Sequence, residues 1–106
     1  MYLKKMMEAE PYIWEGNTIF EPLKLDMTHG LLIQVIEVSQ PTPSHHHKEI
    51  EQVYVIRSGR GLVTIDGETR DVEPDNIVFI PGGAEHCIAP AEGEKNLVYM
   101  TICHYM

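Results

Sequence analysis

The sequence predicts an all-β domain, a sandwich or a barrel. Three observations carry this. Apolar residues alternate with polar ones over eight to ten short segments, turn signals recur between them at even spacing, and no stretch carries the helical period. The 106 residues make one domain. A chain of this size buries roughly 65% of its unfolded surface, enough for one core without staples. A hydrophobic content of 43% excludes a disordered chain. The whole of 1–106 is read as a single domain, with 1–16 as an N-terminal arm and 17–106 as the β-barrel.

Residues 1–9 read as a short helical turn or a frayed arm, and 11–16 as an irregular or edge segment in which Trp14 packs. Residues 17–25 alternate moderately and are broken by Pro22, which suits an edge strand. A turn at 26–30 leads into 31–38, a strand rich in Ile, Leu and Val. Pro41 and Pro43 push their neighbours out of the helical region, so 39–44 is an extended connection. Strands follow at 51–57 and 62–66, separated by the tight turn 58–61. Asp66-Gly67 is a hairpin signal returning the chain through 68–72. After the turn at 73–75, a strand at 76–80 ends at Pro81-Gly82-Gly83. Residues 87–89 start another strand, 90–94 turn, and 97–106 close the chain.

Eight basic residues stand against 16 acidic ones, giving a net charge of −8 with no cluster of Lys or Arg. Nucleic acid and anionic membrane are therefore excluded as partners, and the charge serves solubility. Cys87 and Cys103 have no metal-ligand spacing and read as reduced, buried thiols. Lys4 and Lys5 are followed by no apolar run, and no stretch reaches 18 apolar residues. A secretory signal and a membrane span are not expected, and a cytoplasmic protein is.

The chemistry concentrates in His45-His46-His47. Neutral imidazole is the commonest protein metal ligand. In an extended segment, residues two apart share a face roughly 6.6 Å apart. His45 and His47 can thus converge on one ion while His46 points away. The competing readings are a His-rich loop without function or a tag remnant, and a run of three in mid-chain argues against the latter. His86, at the start of a strand just past the Gly/Pro loop, is a candidate third imidazole.

These residues resemble the cupins, small proteins of the double-stranded β-helix or jelly-roll fold. The first cupin motif reads G-x5-H-x-H-x3,4-E-x6-G and the second G-x5-P-x-G-x2-H-x3-N. His45-x-His47 and Gly59 match the first, and Pro81-x-Gly83-x2-His86 the second. Ser39 stands at the first motif's leading glycine. Asp75 and Pro90 replace the second motif's leading glycine and trailing asparagine, both at turns. The glutamate ligand has two candidates. Glu51 satisfies the shorter spacing from His47, Gln52 the longer one together with the usual six residues before Gly59. Because a hairpin fixes the distance to Gly59, Gln52 is preferred. Tyr54 and Ile56 would then share its inward face, while Glu51, Val53, Val55 and Arg57 face out.

The resemblance implies one divalent transition metal ion held by His45, His47, His86 and Gln52; imidazoles and one oxygen suit Zn, Fe, Ni, Mn or Cu without choosing among them. It implies a metal-dependent enzyme acting on a small polar molecule (a carbohydrate, carboxylate or enol) by Lewis-acid isomerase or lyase chemistry, or by dioxygenation. The alternative is a non-catalytic ligand-binding or sensing module. Tyr54 and His104 are the candidate proton-transfer residues. A homodimer is also implied, and an open edge at 17–25 with an arm carrying Trp14 would favour it.

Overall fold

The computed structural model describes all residues from Met1 to Met106. Nine strands follow in order: β1 (Tyr12–Trp14), β2 (Asn17–Leu23), β3 (Leu31–Val38), β4 (Ile50–Ser58), β5 (Gly61–Ile65), β6 (Glu68–Val72), β7 (Ile77–Ile80), β8 (His86–Pro90) and β9 (Leu97–Tyr105). A six-stranded sheet of order β1-β2-β3-β9-β4-β7 faces a three-stranded sheet of order β6-β5-β8. Every pairing is antiparallel. This is a jelly-roll barrel. No helix is long and apolar enough to cross a membrane.

The strand pattern follows from alternation. Along β4, Gln52, Tyr54 and Ile56 are buried; along β9, Leu97, Tyr99, Thr101 and Cys103 are. Of these, Tyr54, Ile56, Leu97 and Tyr99 meet Ile19, Ile36, Val63, Ile80 and Ile88 between the two sheets. Burying each such side chain contributes about 1.5–3 kcal/mol, the main force closing the barrel.

Two turns are set by local backbone demands. Asp66 and Gly67 take φ of 46° and 83°, the two-residue turn that joins β5 to β6 with matching twist. Gly59 takes φ of +75°, and a Cβ there would lie 2.5 Å from the Asn96 carbonyl oxygen. Only glycine fits the β4–β5 turn.

The N-terminal third departs from the sequence reading. Residues 12–14 form β1 and pair with Asn17, Thr18 and Ile19 across the Glu15-Gly16 turn, so the barrel takes in part of the expected arm. The strand expected over 17–25 stops at Leu23. Pro22 has no N–H to give a ladder, the register shifts between Phe20 and Leu23, and Leu25–Met27 becomes a 3-10 turn. The edge of β2 expected to lie open is therefore partly covered by β1.

Candidate metal centre

The two histidine stretches are joined by backbone. Residues 42–45 run antiparallel to β8: the Thr42 N–H donates to the Ile88 carbonyl at 2.9 Å, His45 N–H to the His86 carbonyl at 3.1 Å, and His86 N–H to the His45 carbonyl at 2.9 Å. The reciprocal bridge sets the two imidazoles side by side, with ring centroids 4.2 Å apart. His47, two residues on, returns to the same side, 5.2 Å from His45 and 5.9 Å from His86. The Gly83 N–H donates to the His47 carbonyl at 2.8 Å and holds it there. One ring nitrogen from each of the three lies within 4.8 Å of the others. His46 turns outward, where its Nδ1 meets Glu85 Oε1 at 2.9 Å. Ser44 donates to the other Glu85 oxygen at 2.9 Å, and these contacts hold the Glu85 carboxyl below its usual range.

Two of the rings have assigned tautomers. His45 Nδ1 lies 2.7 Å from the Pro43 carbonyl, and His86 Nδ1 lies 2.9 Å from the Ala84 carbonyl. A carbonyl only accepts, so each Nδ1 carries the proton and each Nε2 a free lone pair. His86 Nε2 is buried without a hydrogen-bond partner. Burial holds the His86 imidazolium below its ordinary pKa, and the neighbouring His45 and His47 add to this. Burial likewise lowers His47, with His45 and His46 reinforcing it. Burial thus favours the neutral form of His47 and His86, the state in which imidazole ligates.

Gln52 is buried on the inner face of β4. Its Nε2 donates to Thr101 Oγ1 at 3.3 Å and Cys103 Sγ at 3.2 Å, leaving Oε1 buried without a partner. It lines a cavity of about 250 Å³ together with His45, His47, Tyr54, Tyr99 and Trp14. Glu51 faces outward and accepts from His104 Nδ1 at 3.1 Å. The same contact removes His104 from the pocket: on β9, Thr101 and Cys103 face in, so His104, one residue on, faces out. Tyr54 packs against Tyr99 with ring centroids 4.5 Å apart and stands 6.3 Å from His86. Burial pushes its hydroxyl well above the usual phenol range, so it remains protonated and can act only as a donor or neutral acceptor. Cys87 and Cys103 are free thiols outside the triad.

The donor set fits a divalent transition metal. Two buried Lewis bases, His86 Nε2 and Gln52 Oε1, have no protein partner, and burying such atoms unpaired costs about 1–3 kcal/mol each. A cation would satisfy both. Sequence reasoning missed Tyr12 in the surrounding wall. Tyr12 and Gln34 line the cavity, and Trp14 packs edge-on to His45 at 5.7 Å. The alternation of Asn17, Ile19 and Glu21 would have pointed to this side of the pocket had the parity of β2 been carried through.

A jelly-roll barrel with paired histidines from one extended segment and a third from a facing strand defines a cupin. Residues 32–103 match the cupin domain family (Cupin_2), and the chain belongs to it. It is 33% identical over 86 residues to an uncharacterized protein of Methanocaldococcus jannaschii, spanning 76% of this chain and 69% of that one. Among solved structures, a predicted oxalate decarboxylase from Thermotoga maritima matches with a TM-score of 0.88 at 15% identity, over 98% of this chain and 99% of that one. The polyketide cyclase RemF from Streptomyces resistomycificus matches with a TM-score of 0.84 at 21% identity, over 98% and 79%. Likeness at these identities speaks for the fold.

Proposed function

We propose that this cupin is a metal-dependent enzyme acting on a small polar molecule. The observation that carries the reading is the pair of orphaned, buried Lewis bases, His86 Nε2 and Gln52 Oε1, beside a cavity that also receives His45 and His47. Those four residues would hold one divalent ion of Zn, Fe, Ni, Mn or Cu. All four are neutral, so the bound ion would keep its full positive charge and supply a strong Lewis acid toward a carbonyl or hydroxyl oxygen.

The chain's own contribution is positional. The Pro43 and Ala84 carbonyls fix the His45 and His86 tautomers, and Thr101 and Cys103 hold the Gln52 amide with its oxygen free. Tyr54, kept protonated by burial, is the internal hydrogen-bond donor. A cavity of about 250 Å³ suits a carbohydrate fragment, a carboxylate or an enol. Isomerase or lyase chemistry follows from polarisation, and dioxygenation requires a redox-active ion. The fold neighbours include proteins named as a decarboxylase and a cyclase, which supports an enzyme.

One observation favours a binding or sensing module instead: His104 leaves the pocket and Tyr54 is deeply buried, so neither expected proton-transfer group is a solvent-accessible acid or base within the pocket. Metal analysis of protein made in its native host decides the first question. Stoichiometric transition metal supports the reading, and metal-free protein that takes up none on titration overturns it. Trp14 is the chain's single tryptophan and packs on His45, so quenching of its fluorescence by Cu(II) reports occupancy directly.

A further inference from the structure

The wall of the cavity away from the triad carries a polar network of different character. Tyr12 Oη donates to Glu21 Oε2 at 2.9 Å. Gln34 Nε2 donates to Tyr12 Oη at 3.0 Å and reaches Glu21 Oε2 at 3.5 Å. Tyr12 and Gln34 line the histidine cavity. Tyr12 also lines an adjoining cavity of about 460 Å³, into which Glu21 opens. No basic side chain pairs with Glu21.

A count of donors and acceptors decides what this wall can bind. A phenol has one proton, and Tyr12 commits it to Glu21. A primary amide has two, and Gln34 directs its nitrogen at Tyr12 and Glu21. What remains free is acceptor capacity: a Tyr12 lone pair, Gln34 Oε1 and Glu21 Oε1. Burial and the Glu21 carboxylate push the Tyr12 hydroxyl up to about 12, so its proton stays in place at any physiological pH. The triad side has the opposite character, with free lone pairs arranged for a cation that would in turn attract an oxygen anion.

We propose that Tyr12, Gln34 and Glu21 form a hydroxyl-recognition wall, which selects substrates bearing a carboxylate or carbonyl oxygen at one end and a hydroxyl donor at the other, and rejects those with a second carboxylate. The inference deepens the proposed function and rests on the metal pocket. A hydroxyl finds acceptors already oriented by Glu21. A second carboxylate at this wall meets the like charge of Glu21, which costs affinity.

The test uses zinc-loaded protein and three probes with the same three-carbon chain: propionate, 3-hydroxypropionate and malonate, titrated by calorimetry. The wild type is expected to bind 3-hydroxypropionate roughly tenfold more tightly than propionate, the scale of a hydrogen bond to a charge-supported acceptor. Tyr12→Phe, which removes one of the acceptors and the proton that orients Glu21, should lower that ratio while leaving zinc content unchanged. Glu21→Gln, which removes the charge and adds donors, should raise malonate affinity several-fold. A purely structural network would weaken all three probes together. If the wild type takes up no zinc, the proposed function falls. If it takes up zinc but both variants keep the wild-type ratios, or the wild-type ratio is already near one, the recognition wall alone falls.

Discussion

Replacing His86 with leucine separates a metal ligand from an ordinary core histidine. His86 is only 2% exposed, so its removal would ordinarily be severe. Its Nδ1–H bond to the Ala84 carbonyl is worth about 1 kcal/mol net. Against that, Nε2 is buried with no partner, and removing it recovers about 1–3 kcal/mol. Leucine fills a similar volume with apolar atoms, while the Ala84 carbonyl loses its donor. These effects nearly cancel. Metal-free His86→Leu should therefore unfold within ~1 kcal/mol of the wild type, a melting shift of about 4–8 °C at most for a domain of this size.

With metal the variants should part. At a metal concentration 100 times the dissociation constant, ligand linkage stabilises the wild type by about 2.7 kcal/mol, which raises the melting temperature by about 10–20 °C. His86→Leu should lose most of that rise. Differential scanning calorimetry with zinc and with a chelator measures both quantities. The reasoning is refuted if the variant keeps the zinc-dependent rise. It is equally refuted if the metal-free variant loses more than about 3 kcal/mol, because His86 would then be a structural residue whose lone pair is not in want of a cation.

Glu51→Ala should leave metal content at the wild-type level, since Glu51 pairs with His104 on the outer face, whereas Gln52→Ala should reduce it; elemental analysis of the two purified variants reads the difference. Stability without metal should fall as pH drops: burial keeps His47 and His86 below the usual 6.5 in the fold, so the unfolded chain binds protons first, and stability is full above pH 6.5 and lost as pH falls through the lower folded values. Urea midpoints at pH 7.5 and 5.5 should show a smaller fall for His86→Leu than for the wild type, and equal falls would remove the attribution. The outer face of the six-stranded sheet leaves Ile13, Leu31, Ile77 and Phe79 exposed, and a second copy of the chain is the proposed cover, through a two-fold interface that would bury them. Light scattering should give a dimer for the wild type and a monomer for Phe79→Lys; a wild-type monomer at micromolar concentration removes the dimer.

The strands were legible wherever alternation and turn chemistry agreed. Residues 31–38 and 68–72 form the strands expected, because β-branched residues in one case and the Asp66-Gly67 turn in the other leave no competing structure. The orientation of β4 was legible because Gly59 admits no side chain, and counting back from it places Gln52 inward and Glu51 outward. Pro22 was visible, but its consequence was not. A proline can sit at a strand edge or end the strand, and the bulge that followed depended on the register with β3. His104 failed as a pocket residue for want of a parity anchor on β9. Nothing in residues 97–106 says which alternate set faces in until that strand is paired with β4.

The placement of Glu21 was illegible for a deeper reason. Its contact with Tyr12 depends on β1, three residues of weak pattern that pair along the edge of β2. Tyr12 reaches the cavity through that added strand, and Glu21 and Gln34 then take up its hydrogen-bonding groups. Polar residues on an inner face read from sequence as misplaced surface, since alternation predicts burial and polarity predicts exposure. The conflict is resolved by mutual hydrogen bonding, in which each donor is consumed by a neighbour and only acceptors remain. A site with lone pairs suited to a cation on one side and acceptors on the other would thus need no charged ligand to a metal. The one carboxylate it uses stands away from the triad, where it sets the direction of a phenol proton.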